Sequence, residues 1–154
     1  MHFKNPETVP ILLVEDDPGD VAITRRAFRK ARIANRLYVV RDGEEAMEFL
    51  HRTGRYDEDG EEAPRPGLIL LDLNLPRIDG HEVLRRVKKD PILHRIPVVV
   101  LTTSSDQEDL VSCYDEGANT YITKPVEFEN FLEAVTTIER YWLCVADIPD
   151  QEGA

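Results

Sequence analysis

The fold is decided by one stretch in the middle of the chain, Leu68-Ile69-Leu70-Leu71-Asp72-Leu73-Asn74-Leu75-Pro76. Its first four residues are apolar, and Asp72 follows them directly. The segment after Asp72 contains the polar Asn74 and Pro76. Two more short apolar runs of this kind occupy residues 11–14 and 97–101. Strands that are apolar on both faces are typical of a parallel sheet covered by helices on each side.

Stretches with apolar residues at helical spacing alternate with these runs. We predict helices at residues 20–33, 43–52, 79–89, 105–116 and 127–142, and two further strands at residues 37–40 and 120–123. Five strands alternating with five helices predict an α/β fold, a doubly wound parallel sheet. The acidic segment at residues 56–62, before the third strand, is predicted to be an exposed connection.

Length and charge narrow the classes of protein. The chain has 154 residues and a formal net charge of -11, so we expect one domain over residues 1–154, with a core at 10–143 and a short extension at 144–154. The acidic balance argues against nucleic acid and anionic membrane surfaces as ligands. Two cysteines without metal-ligand spacing, and the lack of a signal peptide or an 18-residue apolar run, predict a cytoplasmic protein.

Polar side chains stand at the carboxyl ends of four predicted strands, where ligands bind in doubly wound sheets. Glu15 and Asp16 follow the first strand, and Asp72 ends the third. Thr102 ends the fourth strand, and Lys124 follows the fifth. Crowded carboxylates repel one another unless a cation joins them, which suits Mg²⁺. A free oxygen of Asp72 can then attack phosphorus, while the hydroxyl and the ammonium group hold phosphoryl oxygens.

Four motifs in this order resemble the receiver domain of two-component response regulators, of the chemotaxis-regulator type. They are Leu13-Val14-Glu15-Asp16-Asp17, Leu71-Asp72-Leu73-Asn74-Leu75-Pro76 with Asp79-Gly80, Leu101-Thr102-Thr103 and Thr123-Lys124-Pro125. The resemblance covers residues 10–143. It implies a flavodoxin-like fold of five strands in the order 2-1-3-4-5.

The resemblance also implies the ligands of the site. Asp72 accepts a phosphoryl group from a sensor histidine kinase in such proteins, and Mg²⁺ lies beside it. Glu15, Asp16, Asp72 and the backbone carbonyl of Asn74 are the implied metal ligands. The protein would be a switch that catalyses only its own phosphorylation and dephosphorylation, with a histidine phosphotransfer protein as a possible downstream partner.

Three further positions match residues that respond to phosphorylation in this family. Thr102 is the implied switch hydroxyl, and Tyr121 falls at the aromatic switch position. Lys124 is the implied partner of the phosphoryl group. The bond before Pro125 is one that is cis in many receivers.

A looser resemblance connects the chain to stand-alone regulators of bacterial phytochrome kinases. It rests on the opening Glu15-Asp16-Asp17-Pro18, the acidic segment and the ending Tyr141-Trp142. It implies a homodimer through the fourth helix, the fifth strand, the fifth helix and the C-terminal tail. The tail itself favours an interface, since residues 141–149 add apolar side chains beyond the stripe of the last helix. A monomer with a tail folded onto its own domain is the alternative.

Two other functions are compatible with some of the same residues. A phosphatase or phosphotransferase of the haloacid dehalogenase type also uses Mg²⁺ and an aspartyl nucleophile, but it places a second acid where this chain has Asn74. A pseudo-receiver that binds partners without phosphate is the other, and the complete set of acid, hydroxyl and lysine positions argues against it. The four histidines lack metal-ligand spacing, and His81 is expected at the surface or in a loop.

Overall fold

The computed structural model describes residues 9–30, 32–103 and 107–123. Five strands form one parallel sheet in the order β2-β1-β3-β4-β5, which confirms the predicted sheet and its strand order. The strands are β1 Ile11–Val14, β2 Leu37–Val40, β3 Leu68–Asp72, β4 Val98–Thr102 and β5 Thr120–Thr123.

Four helices connect these strands within the described residues. They are α1 Pro18–Lys30, α2 Gly43–His51, α3 Gly80–Lys89 and α4 Gln107–Asp115. The predicted fifth helix at residues 127–142 lies outside the described part of the chain, as do residues 104–106 before α4. None of the helices described is both long enough and apolar enough to cross a membrane.

The core lies on both faces of the sheet. Successive side chains of a strand point to opposite faces, so Leu12 and Val14 pack with α2, α3 and α4, whereas Ile11 and Leu13 pack with α1. Because both faces are covered, the central strands need apolar residues at every position. This explains why β1 is buried along its whole length.

Helix α1 begins at Pro18, two residues before the predicted start. The side chain of Asp17 caps the helix, since its Oδ1 accepts a hydrogen bond of 2.8 Å from the backbone N–H of Gly19. Proline suits the first helical position because it has no N–H to satisfy there. Asp17 therefore acts at the helix terminus, next to the acids of the site.

The acidic connection before β3 differs from its prediction at Tyr56. This residue ends a single 3₁₀ turn and is buried, and its hydroxyl donates a hydrogen bond of 2.6 Å to Oε2 of Glu45. Its ring packs edge-on against Phe49 with 5.1 Å between ring centroids. Burial and the Glu45 carboxylate raise the pKa of Tyr56, which keeps its hydroxyl a donor. Residues 57–62 are exposed as predicted.

Helix α3 begins directly against the end of β3. The side chain of Asp79 caps it by accepting a hydrogen bond of 3.0 Å from the backbone N–H of Glu82. The N–H of Gly80 donates to the carbonyl of Leu73 at 3.0 Å. A Cβ at position 80 would lie 2.4 Å from the carbonyl oxygen of Asp72, so only glycine allows this approach. The first turn of α3 is thus fixed relative to Asp72.

Candidate functional site

Three carboxylates converge at the carboxyl ends of the two central strands. Glu15 and Asp16 follow β1, and Asp72 is the last residue of β3. One oxygen of each lies within 4.8 Å of the others. Glu15 and Asp72 are only 2% and 5% exposed, whereas Asp16 is exposed to solvent. Two buried acids and one accessible acid therefore share an edge that a small ligand can reach.

The cluster fits a single divalent cation. Oxygens around an octahedral Mg²⁺ lie at most about 4.2 Å apart, because each Mg–O bond is about 2.1 Å long. At most one pair of three such oxygens can lie opposite each other, and adjacent oxygens are about 3.0 Å apart, so the three carboxylate oxygens, which lie within 4.8 Å of one another, would move closer together to bind one ion. The donor set consists of oxygen alone, which is the type that hard cations prefer.

The backbone of the loop after β3 holds Asp72 and Asn74 together. The N–H of Asn74 donates a hydrogen bond of 3.2 Å to Oδ1 of Asp72. The side-chain amide of Asn74 donates to the hydroxyl of Thr103 at 3.2 Å, which joins this loop to the residue after β4. Thr103 belongs to the motif at the end of the fourth strand, but no sequence pattern predicts its contact with Asn74, which spans 29 positions.

Thr102 and Tyr121 lie on one face of the sheet. Thr102 ends β4 and is fully buried, and Tyr121 pairs in register with Val100. Because Val100 and Thr102 are two residues apart in one strand, their side chains share a face with Tyr121. Tyr121 is half-buried and packs against the cluster under α4. The predicted switch pair is thus brought to the same face, beside the end of β3.

Two predicted site residues, Lys124 and Pro125, lie outside the described residues. The strand before them is present and ends at Thr123, which pairs in register with Thr102. The carboxyl end of β5 thus lies at the same edge of the sheet as the carboxylates. Their roles stay predictions.

The arrangement suits transfer of a phosphoryl group to a carboxylate. Asp72 provides a nucleophilic oxygen, the neighbouring acids can hold a cation beside it, and the hydroxyl of Thr102 ends the adjacent strand. Phosphoryl transfer needs mainly positioning and the neutralisation of charge on the moving group. The edge provides both kinds of group within one small area.

Comparison with known proteins identifies a family and a similar individual protein. The sequence profile of the response regulator receiver domain family matches residues 11–136. Response regulator Rcp1 of Synechocystis sp. strain PCC 6803 is 44% identical over 146 residues, which cover 95% of this chain and 96% of that protein. Both matches include every described residue assigned to the site.

Solved structures agree with the fold. The phosphorylated cyanobacterial phytochrome response regulator RcpA superimposes with a TM-score of 0.83 at 43% identity, covering 93% of this chain and 99% of that one. The Mn²⁺-bound form of Rcp1 superimposes with a TM-score of 0.80 at 42% identity, covering 92% and 99%. One of these relatives is thus known phosphorylated, and the other with a divalent metal.

Proposed function

This chain belongs to the family of response regulator receiver domains, and from that premise we propose that Asp72 accepts the phosphoryl group of a histidine kinase. The family members are signalling proteins of two-component systems, and the chain is a phosphorylation switch of this kind. The observation that carries the assignment of Asp72 is the cluster it forms with Glu15 and Asp16 at the sheet edge.

In the proposed reaction, one carboxylate oxygen of Asp72 attacks the phosphorus of a phosphohistidine. The new O–P bond forms as the N–P bond breaks, and the electron pair of the broken bond stays on the imidazole nitrogen, which takes up a proton. The product is an acyl phosphate on Asp72. Since Asp72 Oδ1 already accepts a hydrogen bond from the N–H of Asn74, its carboxylate plane is oriented before the kinase arrives.

The metal in this proposal is Mg²⁺, held by Glu15, Asp16, Asp72 and the backbone carbonyl of Asn74. Receiver domains bind a divalent cation at their acidic site, and the all-oxygen cluster supports Mg²⁺ among such cations. When bound, the cation neutralises charge on the transferred phosphoryl group. Lys124, which follows β5, pairs with the same group, and the bond before Pro125 is proposed to be cis.

The proposed switch couples Thr102 to Tyr121. When the hydroxyl of Thr102 moves to bond a phosphoryl oxygen, Tyr121 turns into the space beside it. The switch has a resting and an activated conformation. Phosphorylation can shift the equilibrium between them only by the difference in its interaction energy with the two conformations, and the Thr102 hydroxyl supplies part of that difference. The shared sheet face and the half-burial of Tyr121 support this coupling.

We expect Thr102→Val to accept the phosphoryl group and yet lose the conformational response. Valine keeps the shape of threonine in this fully buried position and removes only the hydroxyl. Amide chemical shifts of β5, measured with and without beryllofluoride, check the result. Thr102→Ser keeps the hydroxyl and should restore the response. An unaltered β5 response in Thr102→Val would show that the hydroxyl does not carry the coupling.

The number of phosphoryl groups that each chain takes up or releases distinguishes a receiver from the two alternative functions. With acetyl phosphate and Mg²⁺, a receiver takes up one phosphoryl group per chain, as intact-mass measurement shows. A phosphatase of the haloacid dehalogenase type instead hydrolyses a phosphoester many times, and a pseudo-receiver takes up nothing. The amide of Asn74, which stands where the second acid of such phosphatases would be, supports the receiver.

The finer proposals concern partners and location. We propose that this chain is cytoplasmic and that its phosphodonor is a sensor histidine kinase of the phytochrome type, supported by the similarity to Rcp1 and RcpA. A histidine phosphotransfer protein is the proposed downstream acceptor. The proposed unit is a single receiver domain over residues 1–154, with a core at 10–143 and an extension at 144–154. Incubation of the chain with such a kinase, prelabelled on its histidine, tests the donor.

We further propose a homodimer built on α4, β5, the fifth helix and the C-terminal tail. Val111 and Tyr114 support it, since they are three residues apart on one face of α4 and are 49% and 47% exposed. We expect the full chain to sediment as a dimer and a chain that ends at Arg140 to sediment as a monomer. Two monomeric species would contradict the proposal.

A further inference from the structure

A carboxylate at the C-terminal end of α4 is bound by two residues of α3. Oε2 of Glu116 lies 3.2 Å from Nδ1 of His81, and Oε1 accepts a hydrogen bond of 3.1 Å from Nη1 of Arg85. The same Oε1 accepts 3.0 Å from the hydroxyl of Ser112 in its own helix. Both oxygens of Glu116 are therefore engaged, and its side chain is only 16% exposed.

Arg85 is held in place by a second acid. Its Nε and Nη2 donate to Oε2 of Glu82 at 3.0 and 2.7 Å, while Arg86 donates to the other oxygen of Glu82 at 3.1 Å. These bonds lower the pKa of Glu82 and raise the pKa of Arg85, so both groups are charged. The guanidinium of Arg85 is thus oriented on α3, with one nitrogen left to reach α4.

The contact joins two helices that each lie beside a part of the site. Helix α3 starts at Gly80, against the backbone of Asp72 and Leu73, so its position is fixed by the acceptor strand. Helix α4 follows Thr102 within a few residues and covers the sheet face on which Thr102 and Tyr121 lie. Glu116 therefore connects α4, which follows Thr102, to α3, which is fixed beside Asp72.

We propose that Glu116, with Arg85 and His81, is a positioning group that holds α4 against α3 in the resting state and so limits how far the switch is populated without phosphate. The proposal rests on the function proposed for Asp72 and Thr102. Tyr121 is only half-buried while Thr102 is fully buried, which is the arrangement expected before Tyr121 turns inward. A contact that stabilises the resting arrangement makes the activated arrangement less favourable by the same free energy.

The chain offers a matched pair of variants to test this inference. Arg85→Ala and Arg86→Ala each remove one arginine that binds Glu82, but only Arg85 also reaches Glu116. The readout is the set of amide chemical shifts of α4 and β5 in the full chain, with and without beryllofluoride. For wild type, the two conditions define the resting and activated positions of each signal.

We expect the free Arg85→Ala protein to move towards the activated positions, with its activated population raised about threefold or more, as loss of one partly buried ion pair predicts. Arg86→Ala should stay at the resting positions. Glu116→Gln keeps an acceptor but loses the charge, and should fall between wild type and Arg85→Ala. If the contact had only a structural role, the variants would have a lower unfolding temperature, but their amide signals would not move from the resting towards the activated positions.

Two different outcomes would contradict the α3–α4 proposal and the proposed function separately. Equal shifts in Arg85→Ala and Arg86→Ala, or none in either, would show that the tie to α4 does not set the switch, whatever happens at Asp72. If wild type took up neither beryllofluoride nor a phosphoryl group, the proposed function itself would fail. Labelling at Asp72 together with the expected order of the variants supports both.

Discussion

Replacing Asp72 with Asn is expected to abolish uptake of the phosphoryl group from acetyl phosphate in the presence of Mg²⁺. An amide oxygen has no negative charge with which to attack phosphorus, and the change also removes one of the three acids of the cluster. Burial of this side chain, which is 5% exposed, leaves little room for another carboxylate to take its place. Intact-mass measurement of the incubated chain gives the number of groups bound.

Asp79→Asn is the matched control for that experiment. It makes the same change from acid to amide at the other end of the loop after β3, and asparagine caps a helix as well as aspartate does. The N–H of Glu82 should keep its bond at position 79, so the fold and the uptake should both persist. Equal labelling of Asp72→Asn and wild type would place the acceptor elsewhere.

The second large effect is expected at Asp16. Exchanging it for Asn should weaken binding of Mg²⁺ by about 10- to 100-fold, because mutation of residues that only hydrogen-bond to metal ligands already has effects of that size. Asp16 is the one exposed acid of the cluster, so the exchange should leave the core intact. Titration calorimetry of the chain with Mg²⁺ measures the affinity, and phosphoryl uptake at fixed Mg²⁺ should fall in parallel.

A neighbouring acid gives the control for Asp16. Asp17→Asn removes one negative charge at the next position and retains the cap of α1, since asparagine can accept the bond from Gly19. Loss of a nearby solvated charge should weaken binding of the cation no more than about fivefold. Equal losses in the two variants would mean that net charge, and not ligation by Asp16, determines the affinity.

The strands and the carboxylate cluster could be predicted from the sequence because they depend on local patterns and on one rule of topology. Short apolar runs identified the strands, and parallel strands bring their carboxyl ends to one edge, so Glu15, Asp16 and Asp72 had to meet there. Asp72 and Thr102, which were predicted to end the third and fourth strands, are the last residues of β3 and β4.

Contacts between polar residues far apart in the chain could not be predicted in this way. Helical spacing identifies the buried face of a helix, but it does not say which polar residue of a second helix will lie opposite. His81, expected at the surface or in a loop, is half-buried in α3 beside Glu116, 35 positions away. Tyr56 stands in an acidic segment, and only its bond to Glu45 and its contact with Phe49 explain its burial.

The close fit of Gly80 against Asp72 has a consequence for insertions and deletions in this protein. Residues 73–79 join the end of β3 to a helix start that cannot move away from it, so any change in their number would displace Asn74 from the acids. The connection at residues 53–66 reaches β3 from the opposite end of the sheet, where added length costs little. Chain length can therefore vary at one end of β3 and is fixed at the other.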